Sequence, residues 1–335
     1  FAGLRLDANE APPLTHPDFL AALARGLQSL EVSRYPPSDT GELREALAGW
    51  LSVESAAVVV GAGSDEILSL LTEAWCAPPP GGEKPVALMP SPSFVMFRRR
   101  PLLRGWDVVE VPLREDWEVD AAALLEACDR HRPNLVFLAS PNNPTGRPVP
   151  PGVVLSACAR APHGLVVLDE AYAAFSRAGT PARPGPDNLV RVGTLSKVGL
   201  AALRVGWAEA APHVVTALDA VRAPFSVAAA SQKAAAAVLR EAGAVLRDHA
   251  RACAEEREQL ARRLEALGTR VTPSEANFLW VCPRSGAESV HARLLGQGVR
   301  VWRQPGPVTG GWLRVTVGTA AENALLLEAW ASSDG

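Results

Sequence analysis

The chain is predicted to be an α/β protein: a large domain on a mostly parallel seven-stranded sheet covered by helices, followed by a smaller α+β domain. Three observations predict this. Seven short apolar runs, separated mostly by helical stretches, follow one another from about residue 56. After about residue 211 the pattern changes to long Ala- and Arg-rich helices with a few later strand-like runs. The length, 335 residues, exceeds the size at which one hydrophobic core stops growing.

The elements follow in order. Leu43, Ala46, Leu47, Trp50 and Leu51 fall on one stripe of a helix, with Asp39 and Glu42 in capping-box spacing at its start. AAVVV then leads into a helix from Asp65 to Cys76, VALM into one around Phe94 to Leu103, and DVVEV into one from Ala121 to Arg130. LVFLA, a helix near Val153 to Arg160, LVVL, LVRV and RVGWA complete the series. Continuous branched runs of this kind read as strands buried on both faces of a parallel sheet. The Pro- and Gly-rich stretches 78–85 and 179–187 read as surface loops, because strand patterns resume beyond them. A long helix over Ala244 to Leu267, the runs TRVTP and NFLWV, a helix near Ala287 to Leu295, VRVW, LRVTV and a last helix form the second unit.

Composition excludes several classes. At 48% hydrophobic and 21% charged the chain can fill a core, so it is not a disordered or fibrous protein. A net charge of −3 gives no general attraction to nucleic acid or anionic membrane. No apolar run is long enough to span a bilayer, and FAGLRLDANE lacks a signal-peptide pattern, so a cytoplasmic location is expected. Five cysteines without a CxxC pair read as reduced thiols, and six scattered histidines show no metal-ligand spacing. No GxGxxG follows the first strand and no GxxxxGK[ST] is present, so the nicotinamide and P-loop readings lack their phosphate loop.

In open α/β sheets ligands sit at the carboxyl ends of the strands. Three predicted strands end there in polar clusters: Ser140 to Gly146, Asp169 to Tyr172, and Gly193 to Lys197. Singly each has an ordinary reading, as turn chemistry, a helix cap or a solvated loop. Together they bring a carboxylate, an amide, a phenol, two hydroxyls and an amine to one rim. Pyridoxal phosphate requires such a set: an amine for the Schiff base, an acid for the pyridinium nitrogen and donors for the phosphate. Only Lys84, Lys197 and Lys233 are lysines, and of these Lys197 alone falls on the rim. Gly63-Ser64-Asp65 opens a helix after the first strand, where free N–H groups and the helix dipole favour an anion; Ser64 as a plain helix cap explains the same segment.

SPNNPTG, DEAYAAF and TLSKVGLAALRVGW, in this order and spacing, resemble the fold-type I pyridoxal-phosphate aminotransferases (class I/II). With LDANEAP, SRYPP, GAGSDE and LRVTVGTAAEN the chain is most similar to the histidinol-phosphate aminotransferase branch. The resemblance covers nearly the whole chain and implies an aspartate aminotransferase-like fold. It implies an N-terminal arm (1–30) packed with the small domain, a cofactor-binding domain (31–225) and a small C-terminal domain (226–335). It makes Lys197 the cofactor-bound lysine, Asp169 the pyridinium partner, Asn143 and Tyr172 the partners of the phenolic oxygen, and Phe94 the stacking ring. Thr194, Ser196, Arg204 and the amides of Ser64 and Asp65 would hold the phosphate. Tyr35 would reach the neighbour's site in a homodimer. Asn9, Arg303 and Arg314 would bind substrate, the arginines as an anion-binding pair.

The expected reaction is transamination of L-histidinol phosphate with 2-oxoglutarate, a step of histidine biosynthesis. A threonine-phosphate decarboxylase or a general aminotransferase would carry the same motifs, and a non-catalytic sensor is the remaining alternative. Departures from the family pattern bear on this. Lys197 and Arg204 are seven apart where many relatives have eight, Phe94 and Phe97 stand where Tyr is common, Ala229 replaces a frequent Asn, and the loop from Arg303 to Arg314 is short.

Overall fold

The computed structural model describes residues 3–78 and 81–334. Residues 79 and 80 of the expected 78–85 loop lie outside this range. In chain order the strands are β1 (Leu4–Leu6), β2 (Val58–Gly61), β3 (Val86–Ser91), β4 (Asp107–Pro112), β5 (Leu135–Ala139), β6 (Leu165–Asp169), β7 (Leu189–Thr194), β8 (Gly206–Glu209), β9 (Arg270–Thr272), β10 (Phe278–Cys282), β11 (Val299–Arg303) and β12 (Leu313–Thr316). The helices are α1 (Pro17–Gln28), α2 (Gly41–Leu51), α3 (Ser64–Ala74), α4 (Val95–Leu103), α5 (Ala121–His131), α6 (Pro151–Arg160), α7 (Pro212–Val221), α8 (Ala229–Ala266), α9 (Ala287–Gly296) and α10 (Ala320–Asp334).

Seven strands form the larger sheet in the order β2-β8-β7-β6-β5-β3-β4. Both its faces are buried, which is why the strands read as unbroken apolar runs. Along β5, Phe137 packs with α3, α4 and α7, while Val136 and Leu138 pack with α5 and α6. Strand β8 is antiparallel to both of its neighbours, β2 and β7. Its first residue therefore stands on the rim where the parallel strands end.

A buried charge crosses this sheet. Arg191 on β7 lies opposite Glu209 on β8 and donates to Glu170 Oε1 at 2.8 Å and to the Pro181 carbonyl at 2.6 Å. Arg183 closes the ring with Glu209 and Glu170, at 2.8 and 3.2 Å. Four charges neutralise one another and hold the 179–187 loop against the sheet.

The smaller sheet has the order β1-β11-β12-β10-β9. N-terminal β1 pairs in parallel with β11, joining the start of the chain to its end. Leu279, Val281, Leu313 and Val315 share a core with Leu260 of α8, Val290 of α9 and Leu326 of α10. In the antiparallel ladders Trp302 stands opposite Arg314, and Arg314 opposite Trp280, so these three share the other face. Helix α1 rests on α8, where a side chain at Gly26 would come within 2.6 Å of the Lys233 carbonyl.

The expected capping box at Asp39 does not form. Helix α2 starts at Gly41 after a left-handed Thr40 (φ 53°), and Asp39 accepts only from the Gly41 N–H, at 3.1 Å. Glu42, the other half of the box, binds Lys233 at 2.6 Å and Arg240 at 3.0 Å on α8. Two cations across the interface outcompete one local N–H. Helix α8 is also longer than expected, running from Ala229 through a non-helical Ala242.

Candidate active site

Because β5, β6 and β7 are parallel neighbours, their ends lie side by side. Asp169 is the last residue of β6, Thr194 the last of β7, and Lys197 closes a single 3-10 turn, Leu195–Lys197, just beyond it. The Thr194 hydroxyl accepts from the Ser196 N–H at 3.1 Å, which fixes that turn and the direction in which Lys197 leaves it. Lys197 Nζ is 3.4 Å from the Ala8 carbonyl and 5.8 Å from the centre of the Tyr172 ring.

The antiparallel course of β8 supplies the next component. Gly206 pairs with both Gly61 and Thr194, so Arg204, two residues before it, stands on the same rim beside the start of α3. Arg204 Nη1 donates to Ser196 Oγ at 3.2 Å, and Thr194 Oγ1 lies 2.9 Å from the same hydroxyl. Gly63 caps α3 with φ 82°, and a Cβ there would fall 2.8 Å from Arg204 Nη2. Ser64 is thus the first helical residue and not the cap. The seven-residue spacing brings Arg204 back to Ser196 and α3, so the short loop leaves this cluster assembled.

These groups line one cavity of about 200 Å³, which also includes Phe94, Asn143, Asp169 and Tyr172. Asp169 is buried and accepts from the Ala171 N–H at 2.9 Å. Burial pushes its carboxyl up to about 6, against that hydrogen bond, with Asp65 and Glu170 adding repulsion and Lys197 opposing it. A carboxylate so placed is stabilised by a cation arriving in the cavity. A larger cavity of about 500 Å³ shares Ala171 and Thr194 with this one, but Lys197 and Asp169 belong to the smaller.

Not every expected residue reaches the cavity wall. Asn9, expected to touch substrate, lies behind it: its amide donates to Tyr172 Oη at 2.9 Å, and Thr316 donates to Asn9 Oδ1 at 3.2 Å. It orients the phenol. Arg314 donates to Asn143 Oδ1 at 2.6 Å and to the Asp7 carbonyl at 2.7 Å. Arg303, the expected second member of the anion pair, faces away. It pairs in register with Leu313, on the helix side of the sheet, and binds Glu288 of α9 at 3.1 Å. One residue of strand alternation separates the two arginines, and no sequence spacing reveals that register. Tyr35 is 81% exposed and stacks on Phe225 with ring centres 4.7 Å apart, away from the cavity of its own chain.

Sequence reading missed Ala8, whose carbonyl meets Lys197, and the ring Arg191-Glu170-Arg183-Glu209 next to Asp169. An arginine inside the apolar run LVRV was the available signal, because a charge in a central strand requires buried partners.

The donors fit pyridoxal phosphate. A guanidinium, two hydroxyls and a helix N-terminus converge at one place for a phosphate, a buried carboxylate awaits a cation, and one lysine amine opens on the same space.

The Aminotransferase class I and II family model matches residues 3–329. The chain is 39% identical over 330 residues to histidinol-phosphate aminotransferase of Chromobacterium violaceum, covering 97% of this chain and 91% of that protein. It is 39% identical over 340 residues to the Thermobifida fusca enzyme of the same name, covering 98% and 90%. Among solved structures it is similar to histidinol-phosphate aminotransferase from Sinorhizobium meliloti in complex with pyridoxal-5'-phosphate, with a TM-score of 0.87 and 27% identity over 99% of this chain and 90% of that one. With the rim geometry and a family match spanning almost every residue, the chain belongs to the class I and II aminotransferases.

Proposed function

We propose that the chain transfers the amino group of L-histidinol phosphate to 2-oxoglutarate, with pyridoxal phosphate held at Lys197. The observation that carries this reading is the convergence of Lys197, Asp169, Arg204 and the start of α3 on one cavity. The name shared by relatives 39% identical over nearly the whole chain supports the substrate.

Bound there, pyridoxal phosphate supplies an electron sink that makes the proton on the substrate's amine-bearing carbon removable. The chain's residues do the rest. Thr194, Ser196, Arg204 and the amides of Ser64 and Asp65 hold the phosphate, so the ring is anchored before substrate arrives. Asp169 presents its carboxylate to the ring nitrogen. Phe94 would cover the ring, while Asn143 and the Asn9-oriented hydroxyl of Tyr172 would hold its phenolic oxygen. Lys197 Nζ, which opens on the same cavity, would serve as the base for the proton on the substrate carbon once the substrate's amine occupies the site. Arg314 receives the substrate's phosphate in one half-reaction and the carboxylate of the oxo acid in the other. Its planar fork suits either group.

The reading includes a cytoplasmic homodimer in which Tyr35 reaches the partner's phosphate site. The exposure of Tyr35, which is not among the residues lining the cavity of its own chain, supports that part. Incubating the holoenzyme with L-histidinol phosphate and 2-oxoglutarate should yield glutamate. No glutamate, with carbon dioxide released from threonine phosphate instead, would replace this reading with the decarboxylase.

A further inference from the structure

Arg314 is held in an unusual way for a buried cation. The residue is 7% exposed, yet among the described residues no carboxylate lies within ion-pair distance of it. Its hydrogen bonds go to neutral acceptors, the Asn143 side-chain oxygen and the Asp7 carbonyl, and its Nε is buried with no partner. What covers the group is aromatic. The guanidinium carbon lies 4.6 Å from the centre of the Trp302 ring and 5.6 Å from that of Phe278. Trp302 is its direct cross-strand neighbour and leans in turn on Trp280, at 6.4 Å. Trp117 and Trp312 pack edge-on at 5.1 Å in the same aromatic cluster, tying the small sheet to a loop of the large one.

We propose that Trp302 is a positioning residue that holds Arg314 ready for the substrate's anion. The inference rests on the proposed transamination, in which Arg314 meets the anion of both substrates. A cation stacked against an indole is stabilised by the ring's quadrupole without being neutralised, so its charge stays available to a ligand. A carboxylate partner would instead have to be displaced at each turnover. The ring also fixes the plane of the guanidinium, so the edge that meets the ligand is preset. Arg303 lies on the other face of the sheet and pairs with Glu288, so it does not join Arg314 in meeting the anion, and how Arg314 is held matters the more. Trp302 touches neither reacting atoms nor cofactor in this scheme. It acts through Arg314.

The test uses the pyridoxal-phosphate-loaded enzyme and two readouts: the dissociation constant of maleate, a non-reacting dicarboxylate, by calorimetry, and the kinetics of the glutamate half-reaction. Trp302→Leu should weaken maleate binding and raise the KM for glutamate by about 3- to 30-fold each, with the maximal rate within about twofold of wild type. Trp302→Phe, which keeps an aromatic face, should recover most of the loss. A Leu variant that binds maleate like wild type overturns the proposal, and so does a Phe variant no better than Leu or a loss confined to the maximal rate. A wild-type enzyme with no measurable affinity for maleate or glutamate overturns it as well, because Arg314 would not then be reserved for an anion. Failure of the substrate reading looks different: L-histidinol phosphate is not turned over while the maleate affinities still separate the three proteins.

Discussion

At Asp169, burial and catalysis pull in opposite directions. Its carboxyl is raised to about 6 by desolvation, above the ordinary value of 3.8, so without cofactor the folded chain favours the protonated form more than the unfolded chain does. The sign follows from linkage: the stability it contributes is complete below about pH 4 and is lost as pH rises through about 6. Apo Asp169→Asn is therefore expected to be more stable than the wild-type apo form by roughly 3 kcal/mol near pH 8 and nearly equal to it near pH 4. Denaturant titrations at the two pH values check this, and a variant destabilised at pH 8 would contradict it. The loaded variant should lose about 10- to 150-fold in turnover, the worth of one charge-assisted hydrogen bond made in the transition state. Asn9 is the second test at this scale. Asn9→Ala removes the donor to Tyr172 and leaves the Thr316 hydroxyl without its acceptor. It is expected to cost about 1–3 kcal/mol of stability, together with a fall in turnover that Tyr172→Phe does not deepen in the double mutant. Asp169, Lys197 and Tyr172 were legible because strand-end position and residue type together mark them. The positions of Asn9 and Arg303 were not, since one depends on a chain crossing and the other on strand register.

Strand β8 shows how an element positions a site without supplying a side chain to it. Its antiparallel direction puts Gly206 against the first turn of α3, where a Cβ would fall 2.2 Å from the Ser64 N–H nitrogen. Ser64 and Asp65 offer their amides to the phosphate in the proposed function, so Gly206→Ala should displace the phosphate-holding turn itself. The expected outcome is a loss of more than about tenfold in pyridoxal phosphate affinity, measured by equilibrium titration, with a folded large sheet by circular dichroism. Unchanged affinity would mean that the start of α3 does not hold the phosphate. The apolar run RVGWA identified this strand but not its direction, because apolar periodicity is the same for parallel and antiparallel neighbours. The start of α2 was misread for a related reason. Asp39 and Glu42 satisfy a local rule, but Lys233 and Arg240, distant in sequence, decide where Glu42 goes. The apolar-striped α2, α3 and α5 and the buried parallel strands, in which local and tertiary preferences agree, were readable, whereas α1 was not read and α8 was read only from Ala244.

Over the whole molecule, one rim of the large sheet, one face of the small sheet and the N-terminal strand meet around a single lysine. Ala8, close to β1, reaches Lys197 with its carbonyl, while Asp7 reaches Arg314, so the ends of the chain close over a site built from its middle. The fold class and the rim were legible in the alternating pattern. The closure was not legible in that pattern, because a three-residue β1 carries too little periodicity to announce a partner almost three hundred residues away; an arm packed with the small domain entered only as what the resemblance implies. If Tyr35 completes a partner's site, Tyr35→Ala should weaken cofactor binding in a dimer that otherwise stays associated, as titration alongside sedimentation velocity would show. Affinity identical to wild type would remove Tyr35 from the site. The most direct measurement is borohydride reduction of the enzyme loaded with pyridoxal phosphate, followed by peptide mapping. The expected result is a pyridoxyl label fixed on Lys197 and absent from Lys84 and Lys233; a label on either of those, or none on Lys197, would contradict the assignment of the active site.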